Sequence, residues 1–104
     1  MEARGLNLSG ARLRQADLNL ATMNRARFSN ADLRDVEAYG GVFSSSSFVG
    51  AHLEGVDFSG AILTGANSSG ASLVRASGLT QGRLNQAFGD EATRLPGGLS
   101  IPRC

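Results

Sequence analysis

At 104 residues the chain has room for one domain, and a compact globule of this size buries only about two-thirds of the surface of its unfolded chain, so its core must be regular or narrow. The basic residues are all arginine and run scattered from Arg4 to Arg103, giving a formal charge of +1; this excludes the basic stripe of a nucleic-acid binder. One tyrosine, five phenylalanines and no tryptophan leave little for base stacking. No apolar stretch approaches the roughly 20 residues that would span a bilayer, and Met1 to Gly10 lacks an apolar run after a basic start, so the expectation is a cytoplasmic protein with no membrane partner.

After a short lead-in over residues 1–5, a period of five begins at Leu6. Cut in fives, the chain reads LNLSG, ARLRQ, ADLNL, ATMNR, ARFSN, ADLRD, VEAYG, GVFSS, SSFVG, AHLEG, VDFSG, AILTG, ANSSG and ASLVR, fourteen windows in one register. The third position holds Leu8, Leu13, Leu18, Met23, Phe28, Leu33, Ala38, Phe43, Phe48, Leu53, Phe58, Leu63, Ser68 and Leu73. All but Ala38 and Ser68 are large and apolar, and these twelve form the expected core. The first position is small, most often alanine. A period of five fits neither the helix at 3.6 nor the strand at 2, so a single amphipathic helix is excluded. A chain that turns every five residues fits, with one large and one small side chain inward on each short side. Glycine at the fifth position, as in Gly10, Gly40 and Gly50 to Gly70, suits a corner that leaves ordinary φ/ψ space.

These windows, ADLRD and AHLEG above all, resemble the A(D/N)LXX motif of the bacterial pentapeptide-repeat family. The resemblance covers residues 6–75 and implies an all-β solenoid, the right-handed quadrilateral β-helix, with four pentapeptides per coil and about 3.5 coils over residues 6–76. The period alone leaves a three-sided coil open. With four sides, Leu13, Leu33, Leu53 and Leu73 stack in one internal column and Phe28 lies over Phe48. The match is weakest from Val36 to Gly50, where Ala38 takes a large-residue position; this stretch is either a bulge presenting Tyr39 or drift within a tolerant repeat. Ser68 is a polar intruder expected to find a partner near the C-terminal end.

The pattern stops after Ala76. Thr80 is a helix N-cap signal, Leu84, Ala87 and Phe88 share a helical face, and Gly89 follows, so a helix of about two turns is expected within residues 77–95, its apolar face closing the coil. Residues 96–104 read as an extended tail. The single cysteine, Cys104, is the last residue and has no partner for an intrachain disulfide. The N-terminal lead-in is too short to cap the first coil, which makes a coil end a candidate homodimer contact.

No catalytic constellation, metal-ligand cluster or phosphate loop is spelled out, and no cofactor is called for. His52, the sole histidine, sits at an outward second position. Function is therefore expected on the outer faces, as a non-enzymatic scaffold whose partner is another protein. With four sides, Asp17, Glu37 and Asp57 make an acidic column. The next side carries Arg12, Arg14, Asp32, Arg34, Asp35, His52 and Glu54, which can neutralise one another. The least charged side places Val42 above Ile62, with Thr22 and Ser44 beside them, and is the first candidate for a flat protein contact. The family resemblance also implies an alternative, since its quinolone-resistance members mimic duplex DNA and bind gyrase; here only one column is acidic, which suits such mimicry poorly.

Overall fold

The computed structural model describes residues 5–103; the readings made for the first residues of the lead-in and for Cys104 lie outside the described residues. Each second-position residue forms a parallel bridge with the residue twenty positions further on, from Asn7 with Arg27 to Asp57 with Ser77. A three-sided coil would pair at fifteen, so the coil has four sides and the chain winds as a β-helix solenoid. The pairing is carried by the backbone. The amide of Asp32 donates to the carbonyl of Ala11 (2.9 Å) in the coil before, and the carbonyl of Asp32 accepts from the amide of Leu13 (2.8 Å). Asp32 in turn bridges His52 in the coil after.

Each corner is a four-residue turn closed by the first residue of the next window, as where the amide of Ala31 donates to the carbonyl of Phe28 (3.0 Å). The fifth residue of every window takes positive φ, as the third residue of a type II turn does. Glycine fills this position at seven corners; Gln15, Leu20, Arg25, Asn30, Asp35, Ser45 and Arg75 fill the other seven. Leu20, at φ 60°, is the least suited, because an apolar side chain offers the left-handed backbone no local hydrogen bond.

Inside, the third-position side chains fill the coil. Phe28 and Phe48 stack with centroids 5.1 Å apart and planes 4° from parallel, while Phe43 and Phe58 meet edge to face at 6.2 Å. Leu18, Met23, Leu33, Leu53, Leu63 and Leu73 are buried with them. Leu8 and Leu13, expected in the core as well, are only half-buried, because they belong to the first coil and no described residue covers them. At one first position even alanine would not fit: a Cβ on Gly41 would come within 2.6 Å of the Phe43 ring.

The weak stretch from Val36 to Gly50 contains no bulge. Glu37, Val42 and Ser47 keep the twenty-residue pairing on both sides, Ala38 is buried and Tyr39 is exposed. Of the polar residues turned inward, Ser46 donates its hydroxyl to the carbonyl of Met23 (2.8 Å). Ser68 is tied through its backbone, its amide donating to Phe88 and its carbonyl accepting from Thr93 Oγ1.

The C-terminal segment departs from expectation. Thr80 does cap a helix, accepting from the amide of Arg83 (3.2 Å), but the helix α1 spans only Gln81–Leu84, one turn instead of two. Leu84 and Ala87 are buried, whereas Phe88 is exposed. The reason is competition from the ladder: Gln86 and Phe88 supply carbonyls to the amides of Gly65 and Ser68, and Phe88 donates to Ala66. Those bonds need extended backbone and end the helix. The final residues are not a loose tail either, for Ile101 packs against the core, Ser100 bonds Gln81 in both directions, and Gly89 pairs with Arg103.

Two stability changes follow. Phe48→Ala removes a ring that contacts Phe28, Phe43 and Phe58 and should cost about 3–5 kcal/mol in urea unfolding. Leu20→Gly relieves the left-handed leucine and should leave stability unchanged or raise it by up to ~1 kcal/mol; a loss above that size would show that the Leu20 side chain holds the corner together.

Candidate interaction surface

The four sides present four distinct outer columns, each fixed by the bridges. Arg12, Asp32, His52 and Ser72 make one column. Here Arg34 grips Asp32 in a bidentate pair, Nε to Oδ1 at 2.9 Å and Nη2 to Oδ2 at 2.7 Å, and this guanidinium holds the Asp32 carboxyl down at about 2. His52 Nδ1 lies 3.7 Å from Glu54 Oε1. The histidine is solvent-exposed and stands between Asp32 and Ser72 in the column. Internal neutralisation leaves this side little net field to offer a partner.

Asp17, Glu37 and Asp57 stand in a second column, followed by Ser77. Their oxygens are engaged locally. Asp17 Oδ1 accepts from the amide of Asn19 (2.9 Å) and Glu37 Oε1 from Asn19 Nδ2 (3.4 Å). Hydrogen bonds from Ser59, then Ser77, hold the Asp57 carboxyl below the usual range. Among the described residues no cation pairs with these three, and no group of three or more His, Cys, Asp or Glu is placed to hold a metal ion.

Thr22, Val42 and Ile62 form a third column, and here the structure adds to what sequence offered. Ile62 is 46% exposed, Tyr39 55% and Leu20 67%, and all three fall on this side or on the corner that leads into it. Gly40 makes the arrangement possible: a Cβ there would lie 2.7 Å from Leu20 Cδ2, so the leucine rests across bare backbone. Tyr39 sits directly after it in the stack, the carbonyl of Tyr39 accepting from the amide of Leu20 (2.8 Å). Leu20, Tyr39, Val42 and Ile62 thus make one apolar strip. Arg83 marks its C-terminal limit, where Nε donates to the carbonyl of Ala61 (2.9 Å). Leu20 was missed in the sequence, although the signal was there: in ADLNL a leucine occupies the corner position that elsewhere takes glycine or a polar residue. Among the described residues no helix is long and apolar enough to cross a membrane.

Comparison with known proteins agrees with this architecture. Solved structures similar to the chain include a pentapeptide repeat protein from Nostoc PCC 7120, at 26% identity and a TM-score of 0.83, covering 90% of this chain and 77% of that one. Rfr23, from the cyanobacterium Cyanothece 51142, aligns at 25% identity and a TM-score of 0.78, covering 90% of this chain and 63% of that one. QnrB1, a plasmid-mediated fluoroquinolone resistance protein, shares the fold at 18% identity and a TM-score of 0.64, covering 92% of this chain and 51% of that one. The chain therefore spans less than two-thirds of Rfr23 and about half of QnrB1. None of the curated proteins is significantly similar to it in sequence. The pentapeptide-repeat profile matches eight copies, over residues 4–36 and 42–77, omitting residues 37–41, where Ala38 and Tyr39 depart from the motif. With matched repeats over most of its length and a coil that pairs at twenty residues, the chain belongs to the pentapeptide repeat family.

Proposed function

We propose that this protein is a non-enzymatic interaction module that docks a protein partner on the side bearing Leu20, Tyr39, Val42 and Ile62. The observation that carries the reading is that Leu20, Tyr39 and Ile62, three of the seven exposed large hydrophobic side chains among the described residues, gather there beside half-buried Val42, whereas Phe88 stands alone in the Asn67 column. Apolar residues grouped this way mark protein contacts more often than scattered ones do. Leucine in left-handed backbone adds support, since strain that persists at an exposed position is commonly kept for function. In this reading the coil is the family's right-handed quadrilateral β-helix, and residues 77–95 act as its C-terminal cap, holding the rod's shape so that the strip stays flat.

The acidic column suits a DNA mimic less well. Mimicry needs negative charge along the rod in place of phosphates, and Asp17, Glu37 and Asp57 occupy one column, beside a neighbour neutralised by Arg34. Excess protein should leave gyrase supercoiling unchanged.

The test pairs two sets of substitutions. Val42→Arg with Ile62→Arg should melt like the parent and lose the partner captured from cell lysate on the immobilised protein, and Leu20→Gly should weaken that capture. Changing Asp17, Glu37 and Asp57 together to Lys should leave capture intact. Loss with the lysine variant alone would move the site to the acidic column.

A further inference from the structure

The column of Thr22, Val42 and Ile62 has a continuation past Ile62 that is not backbone. On this side of the rod each first-position carbonyl accepts from the second-position amide of the coil after it, Ala21 from Val42 (2.8 Å) and Gly41 from Ile62 (2.9 Å). The carbonyl of Ala61 accepts instead from Arg83 Nε (2.9 Å). The guanidinium therefore stands where the next second-position amide would be, one coil step of about 4.8 Å beyond Ile62.

Arg83 differs from the other arginines in how it is held. Of those whose guanidinium is hydrogen-bonded among the described residues, Arg34 and Arg103 rest on the carboxylates of Asp32 and Glu91. Arg83 is half-buried and rests on carbonyls alone, those of Ala61 and Gly78, and among the described residues no carboxylate pairs with it. A charge drawn partly out of water and left without an anion gains by pairing with one, and a guanidinium already fixed in place loses little freedom when a carboxylate binds its fork.

We infer that the partner segment docking on the apolar strip carries one acidic side chain, which pairs with Arg83. This rests on the reading of the strip as the docking side and adds the chemistry of its occupant. From the coil of Leu20 and Thr22 to Arg83 is three coil steps, about 14 Å. An extended segment covers that distance in about four residues, with alternate side chains on one face. The pattern it presents is apolar, any, apolar, any, acidic. The flanking Asp17, Glu37 and Asp57 have no cation paired to them among the described residues, so they disfavour further negative charge along the segment and confine the acid to the Arg83 end.

Nuclear magnetic resonance titration of the full chain with blocked pentapeptides tests this. The probes are LTLTE and ETLTL, the two chain directions of the pattern, and their glutamine counterparts. A glutamate peptide should shift the amides of Val42 and Ile62 and the Nε signal of Arg83, and should bind roughly tenfold or more tighter than its glutamine counterpart, by a margin that shrinks with salt. Arg83→Met should remove the margin and leave the glutamine peptides binding as before. Since Arg83 also ties α1 to the coil, the comparison of glutamate with glutamine on the parent protein decides the matter without that variant. Equal binding of the two on the strip would overturn the pairing with Arg83 and leave the strip as the docking side. A glutamate preference that survives Arg83→Met would do the same. No shift at Val42 or Ile62 with any of the four peptides would overturn the pairing together with the reading of the strip.

Discussion

Everything in this molecule depends on the backbone pairing of one residue in five with its counterpart twenty positions away. That residue's amide and carbonyl both bond the coil before it, while the carbonyl of the residue preceding it and the amide of the residue following it bond the coil after, so each coil is a template for the next. Buried side chains alone would not hold a chain in fourfold register, since the third position tolerates Leu, Met, Phe, Ala and Ser. The ladder makes this variety tolerable, because exchanging one inward side chain leaves the amides and carbonyls where they were. The turn at every fifth residue, with its positive φ, lets the ladder close on itself four times per coil.

This hierarchy explains what the sequence revealed and what it concealed. The inward placement of Phe28 and Phe48 and the glycine corners were legible because they repeat with the register. The number of sides was not, because a period of five is equally served by three or four; only pairing between Asp32 and His52, and its equivalents, decides it. The helix was half legible. Thr80 is a genuine cap, but no local signal told that Phe88 would be needed by the ladder opposite Asn67, so helical periodicity misplaced it. Leu8 and Leu13 carry the core pattern as fully as Leu33 and Leu53 do, yet burial depends on having a coil on both sides, which is a property of position along the rod.

The candidate surface shows the same division. Val42 and Ile62 could be paired as soon as a twenty-residue coil was assumed. Tyr39 could be seen to break the motif. That Leu20 joins them rests on the bare backbone of Gly40, one coil later, against which its side chain lies. Such a strip is assembled from residues up to forty-two positions apart and has no linear motif. A solenoid is suited to this, because its regular backbone sets outer side chains on a lattice and selection can act on any column without disturbing the core.

The twenty-residue pairing can be measured directly in solution by nuclear Overhauser contacts between backbone protons. Contacts of Asp32 with His52 and of Val42 with Ile62, twenty residues apart, are the expected result, and they would secure every column named above. Contacts fifteen residues apart instead, joining Asp32 to Ser47 and Val42 to Asp57, would mean a three-sided coil, and would dissolve both the apolar strip and the acidic column.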